Sequence, residues 1–218
     1  MLISEKYKFI FIHVYKNAGT SIRTALEPYA MGRGKYSINK IWTKIGRKPL
    51  FQSEAQPFEH HITAAEMIAE MGEDEFKQYF SFAIVRNPWD WQVSLYKYMR
   101  KKHAIKKSRE ARKKLEPAMG TFDEYIRWRC SEEVRFQKDF IYSKEGELLV
   151  DFVGKYENLD KDFETICTRI GVNASLPKLN VSNTKPYQSY YTHETRQLVA
   201  DTFRADIERF GYEFDIVC

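Results

Sequence analysis

Two runs of apolar residues, each broken by a turn and followed by helical spacing, do most to restrict how this 218-residue chain can fold. Tyr7 to Val14 alternates and is rich in Phe and Ile, the pattern of a buried strand. It stops at Lys16-Asn17-Ala18-Gly19-Thr20-Ser21, and a helix follows from Thr20 to Tyr29 with Ile22, Ala25 and Leu26 on one side. "FSFAIVRNP", Phe80 to Pro88, repeats the scheme: a strand, a loop, then a helix with Asn87 as N-cap and Pro88 in the first helical position. That helix is expected to run into a basic stretch and to end before Pro117.

Between and after these units the chain keeps alternating. Thr63 with Glu66 and Thr121 with Glu124 have capping-box spacing, so helices are expected from there to about Met71 and Cys130. A short helix over Glu73–Tyr79, a hairpin at Glu145-Gly146 and a third strand over Phe152–Tyr156 complete the middle. Helices over Leu159–Ile170 and Thr192–Phe210 close the chain. Residues 30–57, with three glycines and two prolines, read as a long irregular connection. Strands alternating with helices imply an α/β fold on a mainly parallel central sheet flanked by helices, and the length suits one domain.

Charge narrows the partners. Lys97 to Lys114 holds ten Lys/Arg and one Glu, more positive than the whole chain at +5, so the remainder is net acidic. One basic arm argues against nucleic acid, which asks for a basic face spread over the fold. The arm reads either as a solvated helix face or as a docking surface for an anionic acceptor. No apolar run approaches the roughly 20 residues of a membrane span, and "MLISEKYKF" lacks a signal-peptide core. Three scattered cysteines show no metal spacing and suit a reducing compartment, so a cytoplasmic location is expected.

The turns carry the chemistry. After the first strand, the N–H groups that open a helix face a ligand, and the helix dipole favours an anion. Gly19 allows close approach, Thr20 and Ser21 bring hydroxyls, and Lys16 brings an ammonium. The order differs from the G-x-x-x-x-G-K-[ST] phosphate loop, because the lysine precedes the glycine, and no strand ends in an acidic residue suited to Mg²⁺. In the second turn, Arg86 and Ser94 bring a guanidinium and a hydroxyl suited to a phosphate. Each turn alone admits a plain structural reading: a strand–helix connection for the first, an Arg–carboxylate pair and a packed serine for the second. Together they point to a ligand with two separated anionic groups.

The pair resembles the PAPS-dependent sulfotransferases, in particular the carbohydrate branch that includes the chondroitin and heparan sulfate enzymes. His13-Val14-Tyr15-Lys16-Asn17-Ala18-Gly19-Thr20-Ser21 is similar to that family's H-V-P-K-[TA]-G-G-T-S. Val85-Arg86-Asn87-Pro88, with Ser94 and Tyr96, is similar to its [VL]-R-[DN]-P-x-x-R-x-x-S-x-Y. "VGKYENLDKDFETICTRIGV" and "FGYEF" also look like the family. Tyr15 stands where Pro is usual, Ala18 where the first Gly is usual and Trp91 where the second Arg is usual. The resemblance implies a single P-loop-like domain that uses 3′-phosphoadenosine 5′-phosphosulfate (PAPS) as donor, releases PAP and needs no metal. Lys16 would meet the bridging oxygen, residues Asn17, Ala18, Gly19, Thr20 and Ser21 the 5′-phosphosulfate, and Arg86 and Ser94 the 3′-phosphate. Ser182, Lys185 and Tyr187 lie in a segment, Leu179–Thr192, that reads either as a surface loop or, by the resemblance, as one that closes over the nucleotide.

An alcohol acceptor must lose a proton, which calls for a base, most often His. His61 is the first candidate, His60 the second, both ahead of the Thr63 cap; Glu54 and Glu59 are alternatives. His13, inside the first strand, reads as a core histidine. Trp89, Trp91 and Trp128 read either as sugar-stacking or as core residues. The expected activity is O-sulfation of a hydroxylated acceptor, a carbohydrate or small molecule, and an anionic one if the basic arm docks it. The alternatives are a non-catalytic nucleotide- or polyanion-binding protein on the same fold, or an ATP-dependent kinase.

Overall fold

The computed structural model describes residues 1–31, 61–105, 110, 113, 116–177 and 185–214. The strands are β1 (Leu2–Ser4), β2 (Phe9–Ile12), β3 (Phe80–Val85) and β4 (Phe152–Lys155). The helices are α1 (Gly19–Met31), α2 (Ala64–Met71), α3 (Glu73–Phe76), α4 (Pro88–Ile105), α5 (Phe122–Ser131), α6 (Leu159–Ile170), α7 (His193–Thr202) and α8 (Arg204–Phe210). They fall into two compact units: Met1–Val85 with Asp139–Val181, and Arg86–Lys138 with Ser182–Cys218.

The first unit holds the sheet, in the order β1-β2-β3-β4. β2, β3 and β4 are parallel, and β1 lies antiparallel at the edge. Pairing sets Phe9 beside Phe80 and Phe11 beside Phe82. With a period of two, these rings and Ile84 share one face. Against it pack Ile22, Leu26 and Tyr29 of α1 and Phe163, Ile166 and Ile170 of α6. The Phe11 and Phe82 rings stack with centroids 5.2 Å apart. Each such buried Phe contributes roughly 2–3 kcal/mol of hydrophobic stabilisation. The expected mainly parallel α/β sheet is therefore present. β1 was not foreseen; three residues are too few for alternation to show. Ser4 Oγ ties it to α1 by donating to the Tyr29 carbonyl at 2.9 Å.

The second unit is helical. Trp89 and Trp91 of α4 are buried core residues, and Trp91 meets Phe203 edge-on at 6.3 Å. Neither is placed to stack on a sugar at the surface; Trp128 is half-buried. Trp91, at the departure from the family pattern, also lies under the buried Arg129 guanidinium, 5.9 Å from its ring centroid. The single last helix expected over Thr192–Phe210 is two, α7 and α8, broken at Phe203 (φ −100°, ψ 21°). Phe203 is fully buried against Trp91 and Phe136, which holds the break. Both capping boxes form as expected: Thr63 accepts from the Glu66 N–H while Glu66 accepts from the Thr63 N–H, and Thr121 and Glu124 do the same.

Candidate functional site

In the first unit, β2 leads through His13 to Ile22, and the turn between is built from unusual backbone. Lys16 (φ +67°) and Ala18 (φ +57°) both take the left-handed conformation, and Asn17 between them does not. For residues with a Cβ this costs on the order of 1 kcal/mol each. Alternating hands turn successive N–H groups toward one side, a concavity suited to an anion. The first helical bond of α1 runs from the Ile22 N–H to the Ala18 carbonyl at 3.1 Å. The N–H groups of Gly19, Thr20 and Ser21 come before it and have no carbonyl of α1 to donate to. Thr20 is exposed, Ser21 and Asn17 are buried, and Lys16 and Ala18 are half-buried.

Asn17 serves the turn from inside. Its Nδ2 donates to the Ile84 carbonyl at 2.9 Å, fastening the turn to β3. Gly19 leaves room for the His13 ring: a Cβ at residue 19 would lie 1.8 Å from His13 Nε2. His13 is thus no ordinary core histidine. It is half-buried, rests on the glycine of the turn, and its ring centroid lies 4.7 Å from that of His61.

His61 is exposed, and its Nδ1 lies 3.2 Å from the His13 carbonyl. A carbonyl oxygen only accepts, so Nδ1 is the donor in this contact, and the tautomer that makes it leaves Nε2 as the ring's acceptor. The Tyr15 ring meets His61 edge-on at 5.9 Å and Phe140 at 5.8 Å. The structure therefore gathers His61 with the residues that lead into the lysine turn. His60, Glu54 and Glu59 lie outside the described residues, as does Ser182.

In the second unit, Arg86 precedes α4, and Asn87 Oδ1 accepts the Trp89 N–H at 3.1 Å, the expected cap. The Arg86 guanidinium is 12% exposed and paired with Asp90, Nε and Nη2 reaching Oδ2 at 2.8 and 2.7 Å. This is the plain reading of Arg86, a carboxylate partner, and it holds the side chain along α4. Asp90 and Ser94, four residues apart, share one helix face, so Arg86, Asp90 and Ser94 form a row. Asp90 was missed in the sequence although its four-residue spacing from Arg86 was visible there. Tyr191 donates to the Trp89 carbonyl at 2.8 Å, and Asn87 Nδ2 lies 3.5 Å from the Tyr187 hydroxyl. The end of the Leu179–Thr192 segment thus packs on the start of α4, while Lys185 is exposed. Among the described residues no three His, Cys, Asp or Glu side chains gather as a metal would need, and no helix is long and apolar enough to cross a membrane.

A parallel sheet whose β2 opens through a left-handed lysine turn onto a helix N-terminus defines a P-loop-like α/β protein. The model of the sulfotransferase family matches residues 1–213, so the chain belongs to that family. No individual curated protein matches it.

Proposed function

We propose that this sulfotransferase takes PAPS as donor and transfers its sulfuryl group to a hydroxyl of a carbohydrate or other small acceptor. The observation that supports the reading is the first turn, where left-handed Lys16 and Ala18 lead into the opening N–H groups of α1 and His61 lies against His13 and Tyr15 just before it. In the proposed reaction the acceptor oxygen attacks sulfur in line, and the bond from sulfur to the 5′-phosphate oxygen breaks. The acceptor proton passes to His61 Nε2, and the charge gained by the leaving oxygen is met by Lys16 and the turn. Arg86 and Ser94 are assigned to the 3′-phosphate, with Asp90 holding the guanidinium along α4; Lys185 is a further contact. Lys97, Arg100, Lys101 and Lys102 on α4 would favour an anionic acceptor.

The test is sulfate transfer from radiolabelled PAPS across a panel of glycans and small alcohols, with PAP binding measured without Mg²⁺. His61→Ala is expected to lower turnover about 10²–10⁴-fold while leaving PAP affinity nearly unchanged. Lys16→Ala is expected to weaken both. PAP binding with no transfer to any acceptor would instead favour a non-catalytic binding protein, and Mg²⁺-dependent ATP turnover a kinase.

A further inference from the structure

We infer that Gln137 and Asp206 are positioning residues for Arg86 and thereby set the preference for a nucleotide bearing a 3′-phosphate. The inference rests on the assignment of Arg86 to that phosphate proposed above. Arg86 is the point where the chain leaves the β3 run and turns into α4, and peptide groups there need partners from outside the regular elements. One side chain provides both. Gln137 Oε1 accepts the Arg86 N–H at 2.9 Å, and Gln137 Nε2 donates to the Arg86 carbonyl at 2.7 Å. An amide making both bonds acts like a neighbouring strand residue and fixes the peptide planes on either side of the Arg86 Cα.

Gln137 is in turn held by a carboxylate. Its own N–H donates to Asp206 Oδ2 at 2.7 Å, and the Lys138 N–H donates to Asp206 Oδ1 at 3.0 Å. Gln137 and Asp206 are both fully buried. A carboxylate taken out of water is costly unless its oxygens are well bonded, and here each oxygen receives a backbone N–H. Asp206 sits in the first turn of α8, so the chain of bonds runs from α8 through residues 137 and 138 to Arg86. Asp90 grips the far end of the same residue, Nε and Nη2 reaching Oδ2 at 2.8 and 2.7 Å. Backbone and guanidinium are therefore both fixed before a ligand arrives. Bidentate recognition of a phosphate rewards that accuracy, because the guanidinium fork tolerates little misplacement. A merely structural network would stabilise the unit without favouring one nucleotide over another.

That difference is the readout. Dissociation constants for PAP and for AMP, which lacks the 3′-phosphate, are measured by calorimetry on the full chain and on Gln137→Met, Gln137→Glu and Asp206→Asn, with melting curves alongside. The unmodified protein is expected to prefer PAP. Gln137→Met is expected to weaken PAP on the order of tenfold while AMP changes less than about twofold. Gln137→Glu keeps an acceptor for the Arg86 N–H but sets an acceptor oxygen against the Arg86 carbonyl where Nε2 donated, so a loss in the same direction is expected. This second substitution reports even if Asp206→Asn fails to fold. An unchanged ratio of PAP to AMP affinity in a folded Gln137 variant, or equal losses for both nucleotides, overturns the inference and leaves the donor assignment standing. A parent protein with no preference for PAP over AMP overturns the donor assignment, and this inference with it.

Discussion

Ala18 occupies a backbone conformation that L side chains resist (φ +57°), at the position where the resembling family usually has glycine. Ala18→Gly relieves the Cβ contact but frees the unfolded chain, and the balance at a left-handed site favours glycine. A stability gain of about 1 kcal/mol is expected, seen as a Tm rise of ~2–4 °C in a chain of this size. Gly19→Ala acts in the opposite sense. Its new Cβ would fall 1.8 Å from His13 Nε2, so the ring must leave its place beside His61. Turnover is expected to fall while the sheet's circular dichroism is retained; unchanged turnover would show that the His13 ring has no bearing on His61. At this scale the sequence displayed the lysine, the glycine and the two hydroxyls. It could not display that His13, Gly19 and His61 touch, because residues 13 and 61 meet only once the turn and α2 are packed.

Among the elements, the helix starts were the most legible, since a capping box is written within four residues. Thr63→Ala removes the side-chain acceptor for the Glu66 N–H and is expected to cost about 1 kcal/mol in urea unfolding. The cap also has a pH signature. Bonds from the Thr63 N–H and then the Thr63 hydroxyl hold the Glu66 carboxyl below its ordinary value of 4.5. A carboxyl depressed in the folded state binds its proton more readily when unfolded. Its stabilisation is therefore complete above about pH 4.5 and fades as the pH falls through the lower folded value. Glu66→Gln, which cannot titrate, is expected to narrow the stability difference between neutral and acidic buffer; an identical difference would show that the carboxylate adds nothing to the cap. Ends and breaks were less legible. The split at Phe203 hides inside continuous helical spacing, because the residue that breaks the helix is itself apolar and its reason lies in Trp91 and Phe136.

For the whole molecule, family membership over residues 1–213 and the parallel sheet agree with the sulfotransferase family and the α/β fold that two short motifs imply. Those motifs were legible because strand, turn and helix are adjacent in the chain. The supports of Arg86 were not, since Gln137 lies 51 residues away from it and Asp206 69 residues beyond Gln137, with no local pattern to mark either. A ligand that binds only the folded chain raises its stability, so PAP at a hundred times its dissociation constant is expected to add about 2.7 kcal/mol. The shift in Tm should shrink in Lys16→Ala at the same PAP concentration; an undiminished shift would place PAP away from the first turn. The bond from Asn17 to the Ile84 carbonyl bears on that affinity. Since this amide joins the lysine loop to the sheet, the loop's conformational entropy is surrendered when the chain folds. Donor affinity is then not diluted by any ordering of Asn17 on arrival.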